Sequence, residues 1–229
     1  MDPVGVLLRT PIFRDLSARD VEELLPDLRE RRYGRGDVVW LEGAPARELV
    51  IVADGQLKAH RVSRDGRELI VGVYVAFATT GEVGLFHPRG VRWLGLSAMT
   101  PTTCLTLHRA PLEAFLTRHP PAMARMLEQL SITAVRAAYA YTGVAFDGIG
   151  RRVAAVLLQL ALEHGEESPA GLRIGVRLSQ GELAAHVAAT RENVNRALSG
   201  LVSGGVISQQ GGYFHVHDRP ALEEVADSG

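Results

Sequence analysis

The sequence contains very little cysteine and almost no lysine. Cys104 is the only cysteine, so the chain cannot form an internal disulfide, and a four-cysteine iron–sulfur or zinc site is excluded. Lys58 is the one lysine among 25 basic residues, and the others are all arginine. The net charge is -1, so no chain-wide positive field indicates nucleic acid. Any DNA binding must therefore depend on individually placed arginines.

Long apolar runs and a leader segment are also missing. No uncharged apolar stretch reaches the ~20 residues that a membrane-spanning helix needs. The N-terminus lacks the basic segment and apolar core of a signal peptide, so we expect a cytoplasmic protein with no membrane partner. A hydrophobic content of 46% and a charged content of 22% are ordinary for a globular protein, and 229 residues allow one large or two modest domains.

The most informative stretch is residues 178–205. Ser179 and Glu182 form the S-x-x-E pattern of a capping box at a helix start. Thr190 offers a second N-cap and precedes apolar residues at i, i+3, i+4 and i+7, namely Val194, Ala197, Leu198 and Leu201. The spacing predicts two short helices joined by a tight turn, where Ala188 occupies the position that is often glycine.

The second predicted helix has a polar face near its start, made of Arg191, Glu192, Asn193, Asn195 and Arg196. Arginine can donate two parallel hydrogen bonds to guanine, and glutamate can accept one from the cytosine amino group. Such a helix, supported by a preceding helix, is typical of the helix-turn-helix contact with the DNA major groove. The alternative interpretation is an ordinary solvated helix face.

Residues 190–196, Thr-Arg-Glu-Asn-Val-Asn-Arg, resemble the recognition-helix motif [S/T]-R-E-x-V-x-R of the Crp/Fnr family, the cyclic AMP receptor and fumarate-nitrate regulators of bacteria. Residues 204–207 and the glycine pair 211–212 resemble that family's winged domain. The resemblance implies double-stranded DNA with palindromic TGTGA-like half-sites as a partner, and RNA polymerase as a further one. It implies base contacts by Arg191, Glu192 and Arg196, and phosphate contacts by Thr190 and Ser179.

Residues 33–107 have a different sequence pattern from the rest of the chain. Short β-rich runs alternate with glycine turns, and Asp65-Gly66 is a hairpin signal, which together predict a β-sandwich or barrel-like roll. The spacing is similar to the effector-binding β-roll of the Crp/Fnr family. Residues 5–32 before it are predicted to be helical, with an N-cap at Ser17.

The segment 81–94 resembles the phosphate-binding segment of that roll. Gly81, Glu82 and Arg92 match the cyclic-nucleotide pattern, in which an arginine binds a phosphate and a glutamate accepts from a ribose hydroxyl. Trp93 stands where the pattern has a small hydroxyl residue, and residues 136–138 lack the Thr-Ser pair that contacts adenine. Cyclic AMP, another small-molecule effector and no effector therefore stay open. Gly81, Glu82, Arg92 and Trp93 are the candidate effector-binding residues; otherwise the glycines serve turns and Arg92 an ion pair.

A long helix is predicted after Pro120 and Pro121. Apolar residues recur at steps of four and three, as in a coiled coil or an ordinary core-facing helix: Met123, Leu127, Leu130, Ala134, Ala137, Tyr141 and Val144. Because a two-fold dimer contacts two half-sites about one helical turn apart (~34 Å), we expect a homodimer through residues 121–145. Residues 146–150 predict a break, followed by a helix over 151–162 and a polar loop over 163–172.

The predicted fold is α+β: a β-roll domain over residues 1–120, a dimerisation helix over 121–145 and a winged helix-turn-helix over 146–229. The predicted function is a ligand-responsive, homodimeric DNA-binding transcription regulator. The rival hypotheses are an effector-independent regulator and a ligand sensor that acts through protein contacts. An enzyme on the roll is disfavoured because paired carboxylates and a nucleophile–base set are missing. We expect no metal site, and His87 alone is a thin signal for haem.

Overall fold

The computed structural model describes residues 1–169 and 171–227, with the backbone alone for 139–142 and 144–146. The chain forms two compact units. The first contains residues 1–61 and 71–137, and the second contains residues 62–70 and 138–229. The fold is α+β, with a β-rich N-terminal part, a long helix and a C-terminal winged helix-turn-helix. No helix in the described part of the chain combines the length and apolar character needed to cross a bilayer.

The N-terminal segment is helical over a shorter range than expected. Helix α1 covers Pro3–Arg9 and α2 covers Ala18–Glu22, and the predicted cap at Ser17 is confirmed as a capping box with Asp20. The expectation of helix up to residue 32 is wrong, because Leu28–Tyr33 forms strand β1. This strand pairs antiparallel along its whole length with residues 102–107, and its own sequence gives no sign of this pairing.

Two four-stranded sheets make up the predicted β-roll. After β1 come β2 (Val38–Trp40), β3 (Glu48–Asp54), β4 (Leu57–Val62), β5 (Glu68–Tyr74), β6 (Thr79–Thr80), β7 (Gly95–Ala98) and β8 (Thr102–His108). One sheet has the order β1-β8-β3-β6 and the other β2-β7-β4-β5. Apolar side chains from β3 and β8 pack against those from β4 and β7 in one cluster. Cys104 is buried in this cluster, and burial raises the pKa of its thiol to about 12.

The predicted turn at Asp65-Gly66 is confirmed. Gly66 has φ of +81°, and the backbone N–H of Ser63 donates to the carbonyl of Arg67 across the turn. A second apolar cluster lies where helices cover the first sheet. It contains buried residues of α1, β3 and β8 together with Leu112 and Phe115 of α4 (Arg109–Arg118).

Helix α5 covers Pro120–Phe146, and the boundary between the two compact units falls within it. Ala122 and Met126 are buried and Leu130 packs against the same core. Met123, Leu127, Ala134 and Ala137 of the predicted stripe are exposed, while the side chains of Tyr141 and Val144 lie outside the described residues. The predicted break is present, because α6 (Ile149–His164) begins after an N-cap at Gly148.

The C-terminal unit is a winged helix-turn-helix. After α6 come β9 (Gly165–Ser168), β10 (Gly171–Ile174), α7 (Gln180–His186), α8 (Arg191–Ser203), β11 (Ile207–Gln210), β12 (Tyr213–Val216) and α9 (Arg219–Asp227). The strands form one antiparallel sheet in the order β11-β12-β10-β9. The expected polar loop over 163–172 is therefore wrong, since most of it is the hairpin of β9 and β10.

Candidate functional site

The two helices α7 and α8 are held by local hydrogen bonds at their starts. The Ser179 hydroxyl accepts from the Glu182 backbone N–H at 3.2 Å, and the Glu182 carboxylate accepts from the Ser179 backbone N–H at 2.8 Å. Thr190 Oγ1 accepts from the Asn193 backbone N–H at 3.4 Å. Both predicted N-caps are thus confirmed, and each satisfies a backbone donor that the first turn leaves free.

The turn between α7 and α8 uses an alanine in a left-handed conformation. Ala188 has φ of +50°, a region that non-glycine residues adopt at a cost of roughly 1–2 kcal/mol. Ala189 N–H donates to the Ala184 carbonyl at 3.0 Å and closes the turn. The chain therefore keeps the tight turn although the glycine that would favour it is missing.

Helix α8 separates an apolar face from a charged one. Val194, Leu198 and Leu201 are buried, whereas Arg191, Glu192 and Arg196 are exposed. At about 100° per residue, Glu192 and Arg196 lie on the side of the helix away from the buried residues, whereas Arg191 projects beside the buried stripe and is exposed in the first turn. Within the described residues, none of these three side chains forms an ion pair or hydrogen bond with the protein. Their donors and acceptors are available to an external partner.

The two asparagines of α8 are placed differently from the arginines. Asn193 and Asn195 are half-buried. The Asn195 Oδ1 atom is buried without a hydrogen-bond partner among the described residues, and the side chain lines a groove of about 410 Å³. This groove lies beside the wing and is lined by Gln180, Asn195, Leu198, Ser199, Val202, Ser203, Gln209 and Phe214.

Strands β11 and β12 form the predicted wing. Its turn contains Gly211 and Gly212, with φ of +62° and +87°, conformations that suit glycine. His215 is buried on β12, whereas His217, just after this strand, is exposed and contacts the Ser208 hydroxyl at 2.9 Å. No group of three or more metal-binding side chains occurs in the described part of the chain.

In the β-roll, the structure brings Gly81, Glu82 and Arg92 together. Gly81 has φ of +101° and precedes the short helix α3 (Glu82–Phe86). The Arg92 Nη1 atom donates to the Gly81 carbonyl at 3.1 Å, and Nη2 donates to the Glu48 carbonyl at 2.7 Å. A Cβ atom on Gly81 would lie 2.4 Å from Arg92 Nη1, so this close approach requires glycine.

Both charged side chains of this site are buried. Glu82 is 3% exposed and Arg92 is 4% exposed. Burial raises the pKa of the Glu82 carboxyl and lowers the pKa of the Arg92 guanidinium, because each charge loses its hydration. Glu82 Oε2 and Arg92 Nε have no hydrogen-bond partner among the described residues. One buried acceptor and one buried donor are therefore open to a ligand that supplies the complementary groups.

Trp93 faces a different environment from Arg92. Its side chain is 43% exposed, with the His87 ring edge-to-face at 5.1 Å and the Arg89 guanidinium 5.7 Å from the ring centroid. The neighbours that the structure gives it are thus surface groups of the same segment.

Sequence reasoning missed the main neighbour of Arg92, which is Trp40. The guanidinium carbon of Arg92 lies 3.8 Å from the centroid of the Trp40 ring, a cation–π contact. The ring is fixed by a hydrogen bond from Trp40 Nε1 to the Leu94 carbonyl at 3.0 Å. Nothing in the sequence marked this contact, because Trp40 looked only like a strand residue.

Comparison with known proteins agrees with this architecture. The protein-family model of the cyclic nucleotide-binding domain matches residues 30–119, and that of the Crp-like helix-turn-helix domain matches residues 151–225. The chain is 29% identical to a CRP-like cAMP-activated global transcriptional regulator of Mycobacterium tuberculosis, over 96% of this chain and 98% of the relative.

Solved structures give the same result. FixK2 from Bradyrhizobium japonicum matches with a TM-score of 0.78 at 18% identity, over 88% of this chain and 98% of that one. The c-di-GMP responsive global regulator CLP of Xanthomonas campestris matches with a TM-score of 0.71 at 25% identity, over 87% and 99%. With an effector-type β-roll and a capped, winged helix-turn-helix both present and both matched, the chain belongs to the Crp/Fnr family of transcription regulators.

Proposed function

We propose that this protein is a homodimeric, sequence-specific DNA-binding transcription regulator, controlled by a small-molecule effector in its β-roll. The observation that carries the proposal is the exposed set Arg191, Glu192 and Arg196 in the first two turns of a capped helix whose apolar stripe is buried. Side chains of these types, exposed and without partners in the described structure near the start of the second helix of a helix-turn-helix, suit the recognition of base edges.

Arg191, Glu192 and Arg196 are assigned to base edges. Arg191 and Arg196 are five residues apart, which is about 7.5 Å along a helix and corresponds to roughly two base-pair steps. Each arginine can hold one guanine, and Glu192 can accept from a cytosine amino group. This assignment predicts TGTGA-like half-sites, as the resemblance to cyclic AMP receptors implies.

Thr190 and Ser179 are assigned to phosphates. The Thr190 oxygen accepts from the backbone, so its hydroxyl proton is free to donate to a phosphate oxygen. The Ser179 hydroxyl already donates to Glu182 at 2.7 Å, and a phosphate must compete with that bond. Asn193 and Asn195 are assigned to the rim of the interface, since both are half-buried.

Residues 121–145 are assigned to dimerisation, between an effector domain over 1–120 and a DNA-binding domain over 146–229. Large apolar side chains of α5 are exposed: Met123, Leu127, Ile132 and Val135. Met123, Leu127 and Ala134 follow at i, i+4 and i+11 and lie on one helix face. A second copy of this helix would bury that stripe, and a two-fold dimer would present two α8 helices to a palindrome.

The effector is assigned to the site of Gly81, Glu82 and Arg92, where a buried carboxylate oxygen and a buried guanidinium nitrogen have no partner in the described structure. The M. tuberculosis relative is described as cAMP-activated and the X. campestris protein as c-di-GMP responsive, so cyclic AMP is one candidate among nucleotide effectors. An effector-independent regulator is the alternative, because Arg92 already has protein partners. RNA polymerase is assigned as a further partner, as the resemblance to the Crp/Fnr family implies.

The proposal is tested by fluorescence anisotropy of a labelled duplex with two TGTGA-type half-sites, beside a scrambled duplex, with and without cyclic AMP. Specific binding that requires the nucleotide supports an effector-controlled regulator. Equal specific binding in both conditions supports the effector-independent alternative. Failure to prefer the palindrome under either condition contradicts the half-site assignment and favours a sensor that acts through protein contacts.

Dimerisation is tested by light scattering on Leu127→Glu. Because Leu127 is 61% exposed, the charge is tolerated by the folded monomer, and we expect the mass to fall from that of a dimer to that of a monomer. Leu162→Glu is the matched control, since Leu162 is 59% exposed on α6. Loss of the dimer in the control, or its retention in Leu127→Glu, would contradict the assigned interface.

A further inference from the structure

The guanidinium of Arg92 is already bound by three groups of its own domain. Its two terminal nitrogens donate to the carbonyls of Gly81 and Glu48, at 3.1 Å and 2.7 Å. Its face lies 3.8 Å from the centroid of the Trp40 ring. An arginine binds an oxyanion best through two parallel N–H donors, and here one N–H of each terminal nitrogen already has an acceptor.

Trp40 is well placed to hold the arginine in this position. The hydrogen bond from its Nε1 to the Leu94 carbonyl fixes the ring against the neighbouring segment. The Trp40 Cη2 atom would lie 3.2 Å from a Cβ atom on Gly81, and Arg92 Nη1 would lie 2.4 Å from the same atom. The Trp40 ring and the Arg92 guanidinium therefore both pack against Gly81, and the absence of a side chain at Gly81 leaves space for them.

The Glu82 carboxylate is the group expected to form an ion pair with Arg92. Within the described residues, no ion pair joins Arg92 to Glu82, and Glu82 Oε2 and Arg92 Nε both lack a partner. The buried cation is stabilised at contact distance by carbonyl dipoles and by the ring quadrupole, and the carboxylates of Glu48 and Glu82 attract it from farther away. Because no carboxylate forms a direct ion pair with Arg92 among the described residues, the guanidinium can still form one with an oxyanion.

We propose that Trp40 competes with the ligand for Arg92: it withholds the guanidinium from an oxyanion effector, which binds only by displacing Arg92 from the ring. This inference rests on the proposed effector role of the β-roll. It adds Trp40 as the residue that sets the concentration of a phosphate-bearing ligand at which the site fills.

The test compares the reactivity of Arg92 toward phenylglyoxal in the full-length protein and in Trp40 variants, followed by peptide mass spectrometry. Removing the ring in Trp40→Leu should speed modification of Arg92 about tenfold, as expected for loss of a desolvated cation–π contact. Trp40→Met is the second ring-free variant, in case one of them fails to fold. Trp40→Phe keeps an aromatic face but loses the hydrogen bond to Leu94, and we expect its Arg92 rate to stay within about threefold of wild type. Exposed Arg35 is the internal reference in every sample.

Cyclic AMP is the probe for the second half of the proposal. It should bind Trp40→Leu about tenfold more tightly than wild type by calorimetry, about 1.4 kcal/mol, and should slow the modification of Arg92. An unchanged Arg92 rate in the folded ring-free variants would overturn the proposal, as would a Trp40→Phe rate equal to theirs. If Arg92 is modified faster in the ring-free variants but cyclic AMP neither binds nor slows the modification, Trp40 does restrain Arg92 but cyclic AMP is not the effector. DNA binding, measured separately, is not at stake in either result.

Discussion

The recognition helix and the β-roll use arginine in opposite ways. Arg191 and Arg196 are exposed on α8, while Arg92 is buried against Trp40 and two carbonyls. The exposed arginines leave their donors to a partner at little expense to the fold, since surface substitutions usually change stability by less than ~0.5 kcal/mol. The buried arginine is part of the fold, and any ligand must compete with it. If the proposed roles hold, the arginines of α8 are accessible to DNA in the folded protein, whereas an effector must compete for Arg92 with groups of the β-roll.

The largest expected effect tests how tightly the roll is built around Arg92. Gly81→Ala should lower the free energy of unfolding by about 3 kcal/mol, from a left-handed φ and from displacement of the buried guanidinium. Gly36→Ala is the matched control, because Gly36 has φ of +87° with nothing within 4 Å of its Cβ position. It should lose only the ~1–2 kcal/mol of the left-handed φ, as measured by urea unfolding. Equal losses would mean that Arg92 moves aside freely.

The second prediction contrasts two side chains whose pKa values are shifted by burial, His186 in the C-terminal unit and Glu82 in the β-roll. Burial lowers the pKa of His186 to about 4 from 6.5, and its Nδ1 has no partner among the described residues. The unfolded chain then binds the proton more tightly, so His186 should remove at most about 3 kcal/mol of stability as the pH falls from 6.5 toward 4.

Glu82 should act with the opposite sign. Its pKa is raised from 4.5 by burial, so folding favours the protonated carboxyl, and stability should fall as the pH rises above 4.5. Urea unfolding of His186→Gln and Glu82→Gln between pH 4 and pH 7 checks both signs. The wild type should lose stability relative to His186→Gln in acid and relative to Glu82→Gln toward neutral pH. Parallel profiles would mean that the two environments do not differ.

The third prediction concerns the exposed arginines themselves. Arg191→Ala or Arg196→Ala should weaken binding to the palindromic duplex by about 1–3 kcal/mol and relax selectivity at one base pair. Stability should stay within ~0.5 kcal/mol of wild type, since neither side chain has a partner in the described structure. Arg35→Ala, an exposed arginine of the roll, is the control for loss of charge alone. If Arg35→Ala weakens DNA binding equally, the roles assigned to Arg191 and Arg196 fail.

The smallest expected effect concerns the backbone strain at Ala188, compared with the unstrained glycine at position 81. The roll uses glycine at φ of +101°, whereas the turn before α8 uses Ala188 at φ of +50°. Ala188→Gly should therefore raise stability by about 1 kcal/mol through release of the left-handed strain. Ala189→Gly, at a residue without positive φ, should instead lower stability slightly in the same thermal unfolding experiment. A destabilising Ala188→Gly would show that the turn is not strained.

Local signals explain which parts of the structure were predictable. The capping boxes at Ser17 and Ser179, the cap at Thr190 and the apolar spacing of α8 all depend on residues within a few positions, and all are present. Strand β1 was missed because its side chains are mostly exposed on both faces, so no alternation is visible, and its pairing partner lies at residues 102–107. In the hairpin of β9 and β10, strand β9 is likewise polar and mostly exposed, so it shows no apolar alternation.

The residues of the proposed effector site could be predicted from the sequence, but their contacts could not. Gly81, Glu82 and Arg92 were chosen by resemblance, and the structure brings them together. The Glu48 carbonyl is 44 residues from Arg92 in sequence, and a backbone acceptor carries no side-chain signal. The Trp40 ring reaches Arg92 only through the pairing of β2 with β7. Contacts between distant segments depend on the fold, so the state of Arg92 could not be inferred from spacing.

The burial of Cys104 has a practical consequence for such experiments. With a pKa of about 12, the thiol is almost entirely protonated near neutral pH, and its position inside the roll shields it from reagents. Because it is the only cysteine, a second one introduced at an exposed position, such as Ser199 on α8, should react alone with a maleimide dye. The native chain thus serves directly as the background for fluorescent labelling of the recognition helix.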